Sequence, residues 1–249
     1  MQPHRSRYWL NACPDDPVAF KQQVNGICQL HLNAQELLEQ GTHIVSTDEM
    51  TGIQALERVH PTQPMGLGRV ERQEFEYIRH GTQSLIANWE IALGQVIAPS
   101  IGATRNEFDF ANHIANTIET DPNAAWIFIV DQLNIHKSAS LVRLVAACCE
   151  LDIDLGVKGE QGILESMETR AAFLSNRTHR IRLVYIPKHT SWLNQIECWF
   201  SILMRRLLKR GNFTSTNDLK QQILNFISYF NRTLAKPFVW KFEGYPEVA

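Results

Sequence analysis

Three carboxylates stand where reaction chemistry is plausible. Asp48 follows the β-branched run "HIVST", and Asp131 follows the apolar run "WIFIV". Both occupy the point where a buried strand reaches a sheet edge, which is where ligands gather in open α/β sheets. If those strands are neighbours, two like charges lie close together, which is unfavourable unless a cation or a shared proton offsets them. Oxygen ligands of this kind suit Mg²⁺ or Mn²⁺. Glu197, within "KHTSWLNQIECWFSILMRRLLKR", is the candidate third ligand of a two-metal, phosphoryl-transferring site. Taken singly each acid has a plainer occupation: a strand-end Asp often serves a turn or a helix cap, and a helical Glu is often simply solvated.

The Glu197 stretch is expected to be one helix over Ser191–Lys209. At 100° per residue, Trp192, Ile196, Trp199, Phe200, Leu203 and Leu207 cover one broad apolar face. Asn194, Glu197, Ser201 and Arg205 form a polar stripe almost opposite. Ser191 is the expected N-cap, which puts Glu197 in the second turn, where the helix dipole still favours a negative charge.

The elements that must position these residues follow from periodicity. Residues 1–40 read as a polar lead-in or linker with a helix near Asn33–Gln40. "THIVSTDE" and "TGIQALERV" read as two strands joined by a tight turn at Thr51-Gly52. Val59–Gly68, rich in Pro and Gly, is loop. Thr82–Asn88 and Glu90–Ala98 form an antiparallel meander with Gly94 near its turn. A helix capped by Asn106 places Phe108, Ala111, Ile114, Ala115 and Ile118 on one face. Five apolar residues before Asp131 predict a central strand buried on both faces. Helix Ser140–Glu150, strand Arg180–Ile186 and a last helix near Thr216–Arg232 follow. The order implies an α/β fold, a mixed sheet flanked by helices, antiparallel at first and parallel afterwards. Asp152–Thr178, with an internal helix "GILESMETRAAFL", reads as an insertion before the last strand.

Composition narrows the class. The 249 residues are 44% hydrophobic and 20% charged, typical of a globular chain. No apolar run is long enough to span a membrane, and the N-terminus lacks the apolar segment of a secretion signal, so a cytoplasmic location is expected. Five cysteines without CxxC spacing suggest free thiols rather than a zinc site. The net charge of −2 conceals an uneven distribution: Arg177–Arg210 holds eight Lys/Arg against the single acid Glu197. Such a zone suits a polyanion, although a solvated basic helix end would read the same way. No nucleophile elbow or Cys-His signature is present. A two-carboxylate glycosidase is disfavoured because no aromatic sugar platform surrounds the acids.

Five ordered motifs, "STDEMTGIQALER", "EYIRHGTQSL", "IVDQLNIHKS", "HTSWLNQIECWFSIL" and "LLKRGNF", carry a resemblance. They resemble the catalytic domain of bacterial insertion-sequence transposases of the insertion-sequence 630 family, related to the mariner group within the DDE superfamily. The resemblance runs from about residue 20 to 245. It implies a ribonuclease H-like fold over residues 41–249 and a D-D-E triad of Asp48, Asp131 and Glu197 holding two Mg²⁺ or Mn²⁺ ions. It also implies cleavage of DNA at transposon ends, strand transfer by the freed 3′-hydroxyl, and a homodimer on double-stranded DNA in a bacterial, nucleoid-associated setting. Two departures stand out. Gln132 follows Asp131 where relatives often carry Asn, and 65 residues separate Asp131 from Glu197, a spacing lengthened by the 152–178 segment. Residues 1–40 do not supply the paired helix-turn-helix modules of full-length members, so a separate N-terminal half is expected. The alternative is a catalytically idle DNA-binding or regulatory remnant.

Under the resemblance Arg177, Arg180, Arg182, Lys188, His189, Arg205, Arg206, Lys209 and Arg210 are the candidate DNA-binding residues. Arg79-His80 and His136-Lys137 could reach phosphate or the metal shell, or equally hold loops by hydrogen bonding. Trp192 and Trp199 are expected to anchor the core.

Overall fold

The structure, a computed structural model, describes residues 12–72 and 74–246; the first eleven residues of the expected lead-in lie outside this range. Five strands form one sheet in the order β3-β2-β1-β4-β5: β1 (Thr42–Arg58), β2 (Tyr77–Glu90), β3 (Gln95–Gly102), β4 (Ala125–Val130) and β5 (Ile181–Tyr185). β1, β2 and β3 pair antiparallel, whereas β4 runs parallel to β1 and β5 parallel to β4. This is the mixed α/β sheet that the order of elements implied. Alternation along the strands sends Ile44, Ile127 and Ile129 into one core and Val45, Phe128 and Val130 into another. The first core is closed by α1 (Pro17–Leu32), α6 (Ile196–Leu203) and α7 (Thr216–Thr233), the second by α3 (Glu107–Ile118), α4 (Ala139–Cys148) and α5 (Met167–Leu174). A short α2 (Ala34–Glu39) leads into β1. Among the described residues no helix is long and apolar enough to cross a membrane.

Several expectations need correction. The polar lead-in contains α1, capped by the Asp16 carboxylate, which accepts from the Val18 and Ala19 N–H groups; Val24, Ile27, Cys28 and His31 bury one face of it. The tight turn at Thr51-Gly52 is a bulge within one long strand. The pairing of β1 with β2 shifts between Met50 and Ile53, and Gly52, at φ +65°, absorbs the extra residue without reversing the chain. The reversal comes later, through 59–76, where Gln63 bridges Arg72 and Gly66 bridges Arg69.

In α3, Asn106 caps as expected through a capping box, but Phe108 is 64% exposed and Phe110 takes the buried position. The 152–178 segment packs tightly: Leu164, Phe173 and Leu174 are buried in the same core as Phe128 and Ile181.

The single helix expected over Ser191–Lys209 is broken. Ser191–Leu193 forms a 3₁₀ turn, Asn194 is extended at φ −95° and ψ 99°, and α6 begins at Ile196. Met204–Leu208 then widens into a π turn, closed by the Lys209 N–H donating to the Met204 carbonyl at 2.8 Å. Ser191 therefore caps nothing, and Glu197 falls in the first turn of α6. Trp199 is fully buried, as expected of an anchor. Trp192 is 49% exposed and lies parallel to Trp240, 6.3 Å away.

Candidate active site

The parallel register brings the two aspartates level. β1 pairs with β4 from Thr42 opposite Ala125 to Ser46 opposite Ile129, and the same offset continued two residues sets Asp48 beside Asp131. Adjacent strands lie roughly 4.8 Å apart, and level residues of a parallel pair face the same side. That side is the one α6 covers, since Ser46, one alternation before Asp48, bonds to the residues that open α6. The Ser46 hydroxyl donates to the Asn194 side-chain oxygen and accepts from the Ile196 N–H at 3.4 Å.

Asn194 is 1% exposed, not part of the solvated stripe expected of it. Its Nδ2 donates to the Thr47 carbonyl at 3.0 Å and to Asp48 Oδ2 at 3.1 Å. These bonds hold the residue extended, which explains why no helix runs through it. Asp48 Oδ1 accepts from the Glu49 N–H at 2.8 Å. Asp131 Oδ1 accepts from the Leu133 N–H and from His136 Nδ1, each at 2.8 Å. Glu197 is exposed, and it lies within electrostatic reach of both aspartates.

The charges register one another. Burial, opposed by the Glu49 N–H and reinforced by the charges of Glu49, Asp131 and Glu197, pushes the Asp48 carboxyl up to about 7. Partial burial of its carboxyl and the charge of Asp131 raise Glu197. Asp131 goes the other way: burial would raise it, but the bonds from His136 and Leu133, with the charges of His136 and Arg105, hold it below the usual carboxylate range. His136 is buried, which opposes its charging. The carboxylates of Asp131 and Glu49 on its two ring nitrogens prevail and lift it to about 9.

Among the described residues no three His, Cys, Asp or Glu side chains are already gathered as a metal cage. The donor set nevertheless suits a hard divalent cation. It consists of carboxylate oxygens, two of them raised in pKa by burial first and by neighbouring negative charge second, and a cation would offset that charge.

The basic zone divides. β5 enters the sheet at the edge where β1 and β4 begin, so Arg177 and Arg180 lie at the end opposite Asp48 and Asp131. Arg180 is occupied there, donating to the carbonyls of Pro122, Ala124 and Cys148 at 2.6–2.9 Å. Arg182 is half-buried within β5. Lys188 and His189, both exposed, line a cavity of about 510 Å³ together with Asp131, Gln132 and Asn134. His189 adopts the left-handed region at φ +62°. Arg205 and Arg206, on the π turn, line a second cavity of about 410 Å³ with Lys236, over a floor of Ile202, Phe230 and Leu234. Lys209 and Arg210 are exposed at the end of the same segment.

Ser46, Glu49, Arg105 and Lys236 were not singled out from sequence, and Asn194 was placed on the polar stripe without a role of its own. Of the weaker candidates, His80 bonds Glu57 at 2.7 Å and Arg79 bonds the Tyr77 hydroxyl at 3.0 Å, both at the start of β2 where it pairs with the last residues of β1. Lys137 bonds Gln132 at 2.6 Å.

The sequence profile of the DDE superfamily endonuclease family matches residues 43–220. No curated protein matches the chain. Among solved structures it is similar to a Mos1 transposase paired-end complex with the left transposon end, at TM-score 0.53 and 14% identity over 90% of this chain and 58% of that one. It is similar also to the Mos1 mariner paired-end complex with Mn, at 0.52, 13%, 90% and 58%, and to a pre-cleavage Mos1 transpososome, at 0.51, 12%, 90% and 59%. The likeness is one of fold, the mixed ribonuclease H-like sheet with flanking helices, and the chain spans a little under three fifths of the Mos1 chains it matches.

Proposed function

The chain belongs to the DDE superfamily endonuclease family, and from that membership we propose that it is the catalytic domain of a transposase of the insertion-sequence 630 group. It cleaves phosphodiesters at transposon ends and transfers the freed 3′-hydroxyl to target DNA. The observation that carries the reading is the level placement of Asp48 and Asp131 on neighbouring parallel strands, with Glu197 at the start of the helix bound to that edge.

In this reading Asp48, Asp131 and Glu197 hold two Mg²⁺ or Mn²⁺ ions. Bound there, the ions supply positive charge at the scissile phosphate and activate the attacking oxygen. The rest is positioning. Asn194 orients Asp48, the Leu133 N–H and His136 orient Asp131, and the two aspartates sit on neighbouring central strands, Asp48 within β1 and Asp131 just after β4. In cleavage, the oxygen of water bonds to phosphorus as the P–O3′ bond breaks, leaving a 3′-hydroxyl and a 5′-phosphate. In transfer, that 3′-oxygen bonds to a target phosphorus as the target's own P–O3′ bond breaks, and the proton passes to the departing oxygen. Lys188, His189, Arg205, Arg206, Lys209 and Arg210, all exposed, hold the DNA backbone without reading sequence. Arg177 joins them only if the duplex reaches the opposite sheet edge. A paired assembly on two DNA ends and a separate helix-turn-helix half complete the proposal.

Nicking of supercoiled plasmid in Mg²⁺ tests it. Activity is expected for the intact chain and loss of it in both Asp131→Ala and Glu197→Ala. Cleavage undiminished in both variants sinks the triad. DNA binding without cleavage by the intact chain supports the idle remnant instead.

A further inference from the structure

Asp131 is held by a chain of buried groups that leads away from the triad. Its Oδ1 has two donors, the Leu133 N–H and His136 Nδ1, each at 2.8 Å. That leaves Oδ2 with no protein partner among the described residues. His136 is wholly buried on the 3₁₀ turn Asn134–Lys137. Its ring lies 4.3 Å from that of Phe110, and its carbonyl accepts from the Tyr185 hydroxyl at 2.9 Å, so the imidazole cannot swing. The far nitrogen, Nε2, meets Glu49 Oε1 at 2.9 Å.

Glu49 follows Asp48 on β1, and alternation turns it to the opposite face of the sheet. Its side chain is 1% exposed. Among the described residues, the one cation on it besides His136 is Arg105, 3.6 Å from Oε2. A buried carboxylate is costly unless it is paired and hydrogen-bonded. A buried ion pair is weak evidence for a role in stability, because uncharged pairs of similar volume often serve as well.

On the reading that Asp131 holds a divalent ion, we infer that His136 is a positioning residue for Asp131 and that Glu49, a fourth carboxylate outside the triad, holds His136 in place. The imidazole fixes Oδ1 and so presents Oδ2 to the site. Glu49, set against Nε2, fixes the ring's angle. Hydrogen bonds that orient metal ligands commonly govern affinity by roughly 10–100-fold.

Mn²⁺ titration of the full chain, read by the electron paramagnetic resonance of free Mn²⁺, separates this from a structural role. Urea unfolding of the metal-free protein runs alongside. His136→Ala is expected to weaken Mn²⁺ binding by roughly 10–100-fold. Glu49→Gln keeps an acceptor for Nε2 and the side-chain volume, so it is expected to weaken binding less than His136→Ala does, and by more than any change in metal-free stability accounts for. Wild-type affinity in a folded His136→Ala overturns the inference. If that variant does not fold, Glu49→Gln decides, and unchanged affinity in it overturns the inference. Asp131→Ala is the reference: undiminished Mn²⁺ binding there, or no binding by the intact chain, sinks the metal site itself and the inference with it. A loss confined to Asp131→Ala leaves the metal site standing and removes only the positioning role.

Discussion

Asn194 Nδ2 lies 3.1 Å from Asp48 Oδ2, and that bond joins the break before α6 to the middle of β1. The same side chain serves Ser46 and the Thr47 carbonyl. One buried amide therefore ends the 3₁₀ turn, starts the helix that carries Glu197 and orients the first aspartate. Asn194→Ala leaves the Ser46 hydroxyl, the Thr47 carbonyl and Asp48 Oδ2 each short of a partner. A buried polar group deprived of its partner costs about 1–3 kcal/mol. The variant is expected to lose about that much stability in urea unfolding and to nick plasmid more slowly than the stability loss explains. Full nicking by Asn194→Ala would show that Asp48 needs no such support.

Cations that a linear count places together divide into two kinds, and salt dependence tells them apart. Arg205, Arg206 and Lys236 surround an open cavity with no acid in its lining. Each B-DNA phosphate contact contributes about 0.9 to the slope of log binding constant against log salt. Neutralising all three to Gln is expected to lower that slope by about 2–3, with little change in stability. Arg180→Gln is the contrast. It loses bonds to three backbone carbonyls and is expected to destabilise by about 1–3 kcal/mol with an unaltered slope. Equal slope changes in the two variants would contradict the division.

Gly94 is fixed by a close approach. Its φ is +65°, and a Cβ there would lie 2.0 Å from the carbonyl carbon of Lys236. Gly94→Ala must push the C-terminal tail off the β2–β3 turn. An expected loss of about 2–4 kcal/mol combines left-handed strain with the displaced backbone. Thermal unfolding checks it, and a wild-type melting temperature would mean that the tail does not hold that position in solution.

What could be read from the chain depended on whether a local pattern or a tertiary contact decided each feature. The run Trp126–Val130 announced a central strand ending in an acid, and both proved legible because full burial leaves an unbroken apolar string. Asp48 was read as a strand end, whereas β1 runs on through it to Arg58, and its alignment with Asp131 depends on a register that no local pattern encodes. The Glu197 helix misled because its apolar spacing runs on through Asn194, whereas three bonds to β1 hold that residue extended. The basic zone misled differently, since β5 carries the chain from one sheet edge to the other between Arg177 and Lys188. His136 was noticed without its role, because the partner that explains it, Glu49, lies on another strand.

His31 makes the fold sensitive to acid beside the same helix start. It is buried on α1, where Nε2 donates to the Leu193 carbonyl at 2.8 Å and Nδ1 accepts from the Gln195 side chain at 3.2 Å. The second bond requires the neutral ring, since a protonated Nδ1 cannot accept. Burial lowers its pKa to about 4, the Leu193 carbonyl opposing. An unfolded histidine titrates near 6.5, so between those values the unfolded chain binds the extra proton. Stability from this group is therefore complete above about 6.5 and drains away as pH falls towards about 4. At roughly 1.4 kcal/mol per unit, the full penalty is about 3 kcal/mol. His113, fully buried and lowered to about 3, adds to the trend, whereas Asp48, raised to about 7, opposes it. A comparison between variants isolates His31. His31→Gln keeps a donor for Leu193 and cannot titrate. It is expected to be less stable than the parent at pH 7.5 and to close the gap as pH falls to 4.5, in urea midpoints measured at each pH. Parallel pH profiles for the two chains would mean that His31 already takes up its proton in the folded state.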